Sequence, residues 1–243
     1  MLGLIALDAF RRGRLRGFWA FVLLASLPLA ILATMTRAVW ISFAGSAVVL
    51  GFRTTNRTVR RACLTLIIAG AIGTLVALLS ADMRTSLQDR VEERGPVEIR
   101  MAVYKAGWQM FLERPFSGWG INQMPAELAK RMSDYHLQAF WVHNTYLEIL
   151  VEHGIFGFAI YVWVIVGLFR LGRKRNLCDH IPGTFLDEGF RIVWPVILGV
   201  YLVNATLVVM NYQFVNGLLF TIAGMLSAQN RRELELQADV LPS

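Results

Sequence analysis

An all-α, polytopic integral membrane protein of about six spanning helices is what the sequence predicts, on three observations. Of its 243 residues 56% are hydrophobic, and the mean hydropathy is +0.50. Only 17% are charged, against about a quarter in a soluble domain. The charges are gathered into clusters separated by apolar runs, and basic clusters stand at one end of each run.

In order, Arg11, Arg12, Arg14 and Arg16 precede a first apolar run, 18–35. Thr36 and Arg37 separate it from a second run, 38–52, which ends on Arg53, Arg57, Arg60 and Arg61. A third run covers 62–81. The stretch 82–142 is polar and mixed, and 154–169 is apolar again, ending on Arg170, Arg173, Lys174 and Arg175. Runs 192–210 and 214–228 close the series, and Arg231 and Arg232 lead into a polar tail. This divides the chain into three spans over 1–81, an outer loop over 82–153, three spans over 154–232 and a cytoplasmic tail over 233–243.

With every basic cluster cytoplasmic, six crossings alternate without conflict and the 82–142 stretch lies outside. That stretch holds eight basic and eight acidic residues, so it carries no net charge while the opposite edges are basic. The overall charge of +7 and pI near 9.9 therefore report topology, and nucleic acid is not an expected partner. The lipid bilayer is. The first apolar run follows basic residues as a secretory signal does, but it is long and another follows at once, which favours an uncleaved span. Cys63 and Cys178 lie far apart on the cytoplasmic side, so no structural disulfide is expected.

Several residues stand where chemistry could occur. The run 38–52 would rise only about 22 Å at 1.5 Å per residue, less than the roughly 30 Å hydrocarbon core. The second helix must then start near Thr36, which sets Arg37 at the outer interface. An arginine there needs an anion, water or a snorkelling path; a snorkelling turn residue is the plainer reading. Within the loop, 97–112 reads as an amphipathic helix with Ile99, Val103, Ala106 and Met110 in one stripe, expected to lie on the membrane surface. Arg100, Tyr104 and Trp108 follow at fourfold spacing beside it. Arg100 is suited to a phosphate by its planar fork, and equally suited to solvent. Glu113-Arg114-Pro115-Phe116-Ser117-Gly118-Trp119-Gly120 should end that helix and turn.

Asn144 is placed to cap a helix running into the fourth span. His143 then sits at its mouth, where a general base or a purely structural histidine would both fit. Glu148 and Glu152 share a face and could reach Arg37 or Arg100. His136 adds little. No metal-ligand spacing, phosphate loop, nucleophile elbow or Cys-x-x-Cys is present, so neither metal nor cofactor is expected. Asn204, Asn211, Gln213 and Asn216 could bind helices together or line a polar cavity.

Taken together, Arg100-x7-Trp108-x5-Arg114-Pro115-x2-Gly118-x-Gly120 and His143-Asn144-Thr145-Tyr146-Leu147-Glu148-x3-Glu152-x-Gly154-x2-Gly157 resemble the O-antigen ligase and polymerase family. Thr36-Arg37-Ala38-Val39-Trp40 resembles that family's Thr-x-Ser-Arg-x-x-Trp-like element, with the serine absent. The resemblance implies transfer of a glycan from an undecaprenyl-diphosphate carrier to a hydroxyl of a glycan, lipid or protein acceptor, outside the cytoplasmic membrane and without a metal. It implies that Arg37 and Arg100 hold the diphosphate and that His143 handles the acceptor proton. Trp108, Arg114, Asn144, Glu148 and Glu152 would support them, with Arg114 structural. Family members have about twice as many spans. The resemblance therefore also implies a missing N-terminal half, absent from this sequence or supplied by another polypeptide. A small-solute or bicarbonate-type transporter and a non-catalytic assembly subunit are the competing readings. The outer-edge placement of the ionisable residues, with no inverted repeat, speaks against the transporter.

Overall fold

A computed structural model describes residues 2–11, 37–53, 95–132, 142–172, 188–208, 210 and 212–240, with isolated helical positions between 17 and 72. Every regular element among them is an α-helix: α1 (Leu2–Arg11), α2 (Arg37–Arg53), α3 (Gly95–Glu113), α4 (Met124–Arg131), α5 (Thr145–Leu171), α6 (Glu188–Ala205) and α7 (Gln213–Val240). Among the described residues, one helix, α5, is long and apolar enough to cross a membrane, while 39–53 and 190–205 form shorter apolar helices. The expected first and third spans fall mostly outside the described residues, as do His136 and Cys178; Cys63 is a buried free thiol.

The chain divides into two compact units. One comprises Met1–Gly70, Val166–Asn204 and Asn211–Ser243. Its centre is Trp194, fully buried with Phe190, Ile197 and Leu198 on α6 and Leu219 and Leu226 on α7. A buried indole needs an acceptor for its N–H, and Trp194 Nε1 donates to the Leu168 carbonyl at 2.7 Å. The asparagines act as connectors in this unit. Asn204 Nδ2 donates to Ser42 Oγ at 3.0 Å, and Asn216 Oδ1 accepts from the Tyr201 hydroxyl at 3.1 Å. Asn230 joins the Leu171 carbonyl to the Arg191 guanidinium. α7 runs on to Val240, so the stretch expected as a polar tail is helical through most of its length.

The other unit comprises Ala71–Ile165 and Ala205–Met210. Here α3 forms where the amphipathic helix is expected, and Val103, Ala106 and Met110 are buried with Ile99 packed beside them. That stripe is not turned to a membrane surface. It closes onto Met124 and Leu128 of α4, Met132, Val142, and Leu147 and Val151 of α5, because its apolar area finds protein partners within the loop. The face of α3 left open carries Arg100, Met101, Lys105, Trp108 and Leu112. α5 contains a kink at Gly154 (φ 65°, ψ −167°).

Met110 and Trp108 lie two residues apart on α3 but are fully buried and 50% exposed, respectively. Met110→Ala should therefore destabilise this unit by about 2–5 kcal/mol. Trp108→Ala should stay within about 0.5 kcal/mol of the parent. Thermal unfolding of the purified variants in detergent measures both.

Candidate functional site

The segment after α3 is built around the Gly154 kink. A continuous helix would pair the Val151 carbonyl with the amide of Ile155, four residues on, and the Glu152 carbonyl with that of Phe156. The kink frees both acceptors, and buried backbone groups must find partners. Trp119 N–H donates to the Val151 carbonyl at 2.8 Å and Gly120 N–H to the Glu152 carbonyl at 2.9 Å, while Ile155 N–H turns to the Pro115 carbonyl at 2.8 Å. The 115–120 turn thus completes the interrupted helix.

Two glycines make this approach possible. Gly118 (φ 68°) lies against the Glu152 backbone, and a Cβ there would strike the Glu152 carbonyl. At Gly154 a Cβ would strike the Phe116 carbonyl and stand 2.9 Å from that of Pro115. Both positions also have the left-handed conformation that favours glycine.

Trp119 anchors the turn to the rest of the unit. Its Nε1 donates to the Met110 carbonyl at 2.8 Å, satisfying an acceptor in the last turn of α3. The Arg114 guanidinium carbon lies 4.2 Å and that of Arg131 4.8 Å from its ring centroid, within cation–π range. Arg131 is held in turn by Glu127 at 2.7 Å and Glu113 at 2.6 Å. Hydrogen bonds from Lys130 and then Arg131 hold the Glu127 carboxyl below its ordinary pKa. The bond to Glu127 raises that of Arg131. Arg114 thus sits against the Trp119 ring.

Asn144 caps α5: its Oδ1 accepts the amides of Tyr146 at 3.0 Å and Leu147 at 3.2 Å. Next to it, the buried Thr145 hydroxyl donates to the Val208 carbonyl at 3.0 Å and accepts the Met210 amide at 2.8 Å. His143, immediately before the cap, is exposed. The Tyr104 hydroxyl donates to the His143 carbonyl at 3.4 Å. This ties the histidine to α3 through the partly buried Tyr104, with Arg100 one turn before it and Trp108 one turn after it on the helix. Trp108 packs on Phe111 with ring centroids 5.2 Å apart. Tyr104 thus links the main chain at His143 to the helix that carries Arg100 and Trp108. Arg37 starts α2, in the other unit, and its side chain lies outside the described residues.

The two glutamates differ. Glu152, only 8% exposed, accepts the Asn122 backbone N–H on Oε1 at 2.8 Å, so the expected reach to an arginine is replaced by a bond to the turn's backbone. Asn122 itself has φ 61°, a conformation asparagine tolerates. Glu148, one turn earlier, is half-buried. No cluster of three or more potential metal ligands occurs among the described residues. Sequence reasoning missed Tyr104 as the link to His143 and Asn122 as the partner of Glu152; the fourfold spacing to Arg100 was a signal for the first, and nothing signalled the second.

A family model described as O-antigen ligase matches residues 4–162, which takes in all three motif segments. No curated protein and no solved structure shows significant similarity to the chain.

Gly154→Ala and Gly118→Ala should each destabilise the unit by more than the roughly 1–3 kcal/mol of left-handed strain alone, since the added methyl also meets backbone. Both would lower the thermal midpoint and speed proteolysis between 114 and 123. A pH titration tests the α4 contacts. The folded pKa of Glu127 is depressed, so its contribution is in place above the ordinary carboxylate range and is lost as pH falls through the depressed value. Glu127→Gln should remove that acid-side loss, read as a thermal midpoint that varies less between pH 5 and pH 2.

Proposed function

The chain belongs to the O-antigen ligase family, and on that premise we propose that it transfers a glycan from a polyprenyl-diphosphate carrier to an acceptor hydroxyl. The carrier is undecaprenyl diphosphate, and the reaction takes place on the outer, periplasmic face of the cytoplasmic membrane, which the chain crosses several times. The observation that supports this reading is the family match, and the Tyr104 bond to the His143 carbonyl links the exposed histidine to the helix that carries Arg100 and Trp108.

The chemistry follows from those three groups. The glycan's anomeric carbon is bonded to a phosphate oxygen of the donor. As the acceptor oxygen attacks that carbon, its proton passes to the imidazole of His143, and the bond to phosphate breaks with its electron pair remaining on the diphosphate. Arg100 neutralises charge growing on that leaving group, the kind of stabilisation that outweighs most others in group transfer. A guanidinium presents two parallel donors to a phosphate, which an ammonium does not. Arg37 is assigned a second diphosphate contact by its place in the family's first motif. Trp108 offers an apolar, flat face to a sugar ring or to the carrier. The glycan enters already activated by its diphosphate, so no nucleotide site is required, and the proton and charge steps are met by side chains without a metal.

Glu152 and Asn144 act as positioning residues in this scheme. Asn144 fixes the first turn of α5 behind His143, and Glu152 holds the 118–122 backbone. Neither needs to touch substrate.

In a strain lacking its surface-glycan ligase, the chain together with its upstream genomic sequence should restore transfer. His143→Ala should lower the rate by about 10²–10⁴ and Arg100→Ala by about 10²–10³, with membrane levels unchanged. Arg100→Lys should recover part of the loss. Full transfer by both alanine variants would overturn the assignment.

A further inference from the structure

We infer that the face between α2 and α6 is a binding groove for one anionic phospholipid, its acyl chain along the two helices and its phosphate at Arg53. This site is separate from the glycan chemistry and does not depend on it.

A cavity of about 410 Å³ runs between these helices, within the roughly 300–1,000 Å³ of ordinary ligand pockets. The helices are antiparallel there: Ser42 near the start of α2 is bonded by Asn204 near the end of α6, and Arg53 lines the far end with Ile192. The walls are apolar or small. The two hydroxyls on them are satisfied internally, Ser42 by Asn204 and Ser46 by donation to the Phe43 carbonyl at 2.7 Å, so neither asks for a polar ligand. Gly45 and Gly199 both line the cavity, and a Cβ added at either would meet nothing within 4 Å. The groove therefore has open space beside both glycines.

Two features select the occupant. From Ile41 to Arg53 the groove follows α2 for twelve residues, about 18 Å at 1.5 Å each. One leaflet of a roughly 30 Å hydrocarbon core is about 15 Å deep, so the groove is long enough to hold one acyl chain entering from the Arg53 end. Among the described lining residues Arg53 is the one that is charged, and it is exposed. It belongs to the basic cluster with Arg57, Arg60 and Arg61, which the charge pattern sets at the cytoplasmic headgroup level. An apolar channel ending in a cation at headgroup depth is complementary to an anionic lipid, and basic residues there attract such lipids.

Native mass spectrometry of the full chain in mild detergent, incubated with phosphatidylglycerol or phosphatidylethanolamine, tests this. One phosphatidylglycerol should remain bound per chain, at least about fivefold more tightly than phosphatidylethanolamine, the scale expected from one interfacial arginine. Arg53→Gln should remove that preference. The double variant Gly45→Leu, Gly199→Leu fills the groove and should lose both lipids at unchanged helicity; if its helicity falls, Arg53→Gln alone decides. Equal retention of the two lipids by the parent chain overturns the proposal. So does undiminished retention by the filled variant, or a dimer that the filled variant dissolves, which would assign the groove to a second copy.

Discussion

The exchange of backbone hydrogen bonds at the Gly154 kink is the constraint on which the 95–165 region depends. Two carbonyls released by the kink accept from Trp119 and Gly120, and the amide of Ile155 donates to Pro115. Each of these groups would cost about 1–3 kcal/mol if buried without a partner, so neither turn nor kink is stable without the other. The turn cannot seat unless Gly118 and Gly154 lack side chains. Pro115 ends α3 at the point where the chain must enter the turn, and Trp119 returns a hydrogen bond to α3 through Met110.

From that anchorage the rest of the region takes its position. The packed stripe of α3 commits one side of the helix to protein contacts, which leaves Arg100 and Trp108 exposed, with Tyr104 partly buried between them. Tyr104 reaches the backbone of His143 just ahead of the Asn144 cap. The histidine is thus held through its main chain and is itself exposed. The Arg131 contacts with Glu113 and Glu127 lie on the surface, and exposed ion pairs contribute little each. Their weight comes from holding a guanidinium beside Trp119.

Much of this was legible in the sequence. The apolar spacing from Ile99 to Met110 marked α3, Pro115 marked its end, and Asn144 marked the start of α5, because each rests on local geometry that one residue type satisfies. The direction of the α3 stripe was not legible: periodicity shows that a face is apolar but not whether lipid or protein covers it. Gly154 was opaque for a related reason. A glycine inside an apolar helical run is tolerated in a straight helix, and only the neighbouring turn forces its positive φ. Glu152 looked like a partner for arginine because its side chain is charged, yet its nearest donor is a main-chain amide thirty residues away. Such contacts carry no compositional trace.

The family match ends at residue 162, inside α5, but the packing does not end there. α5 continues to Leu171, where Leu168 accepts the indole of Trp194 on α6. α6 in turn reaches Ser42 on α2 through Asn204, and α7 closes on α6 through Asn216 and Asn230. The unmatched helices therefore form one unit with α2, the helix that carries Arg37. A hydrogen bond between a serine and an asparagine in an apolar setting is worth of order 0.6–2 kcal/mol, and here it joins residues 162 apart in sequence. The helix α2, inside the matched residues, is thus bonded to a helix that lies beyond them. The packing of this unit consequently rests largely on sequence beyond the matched residues.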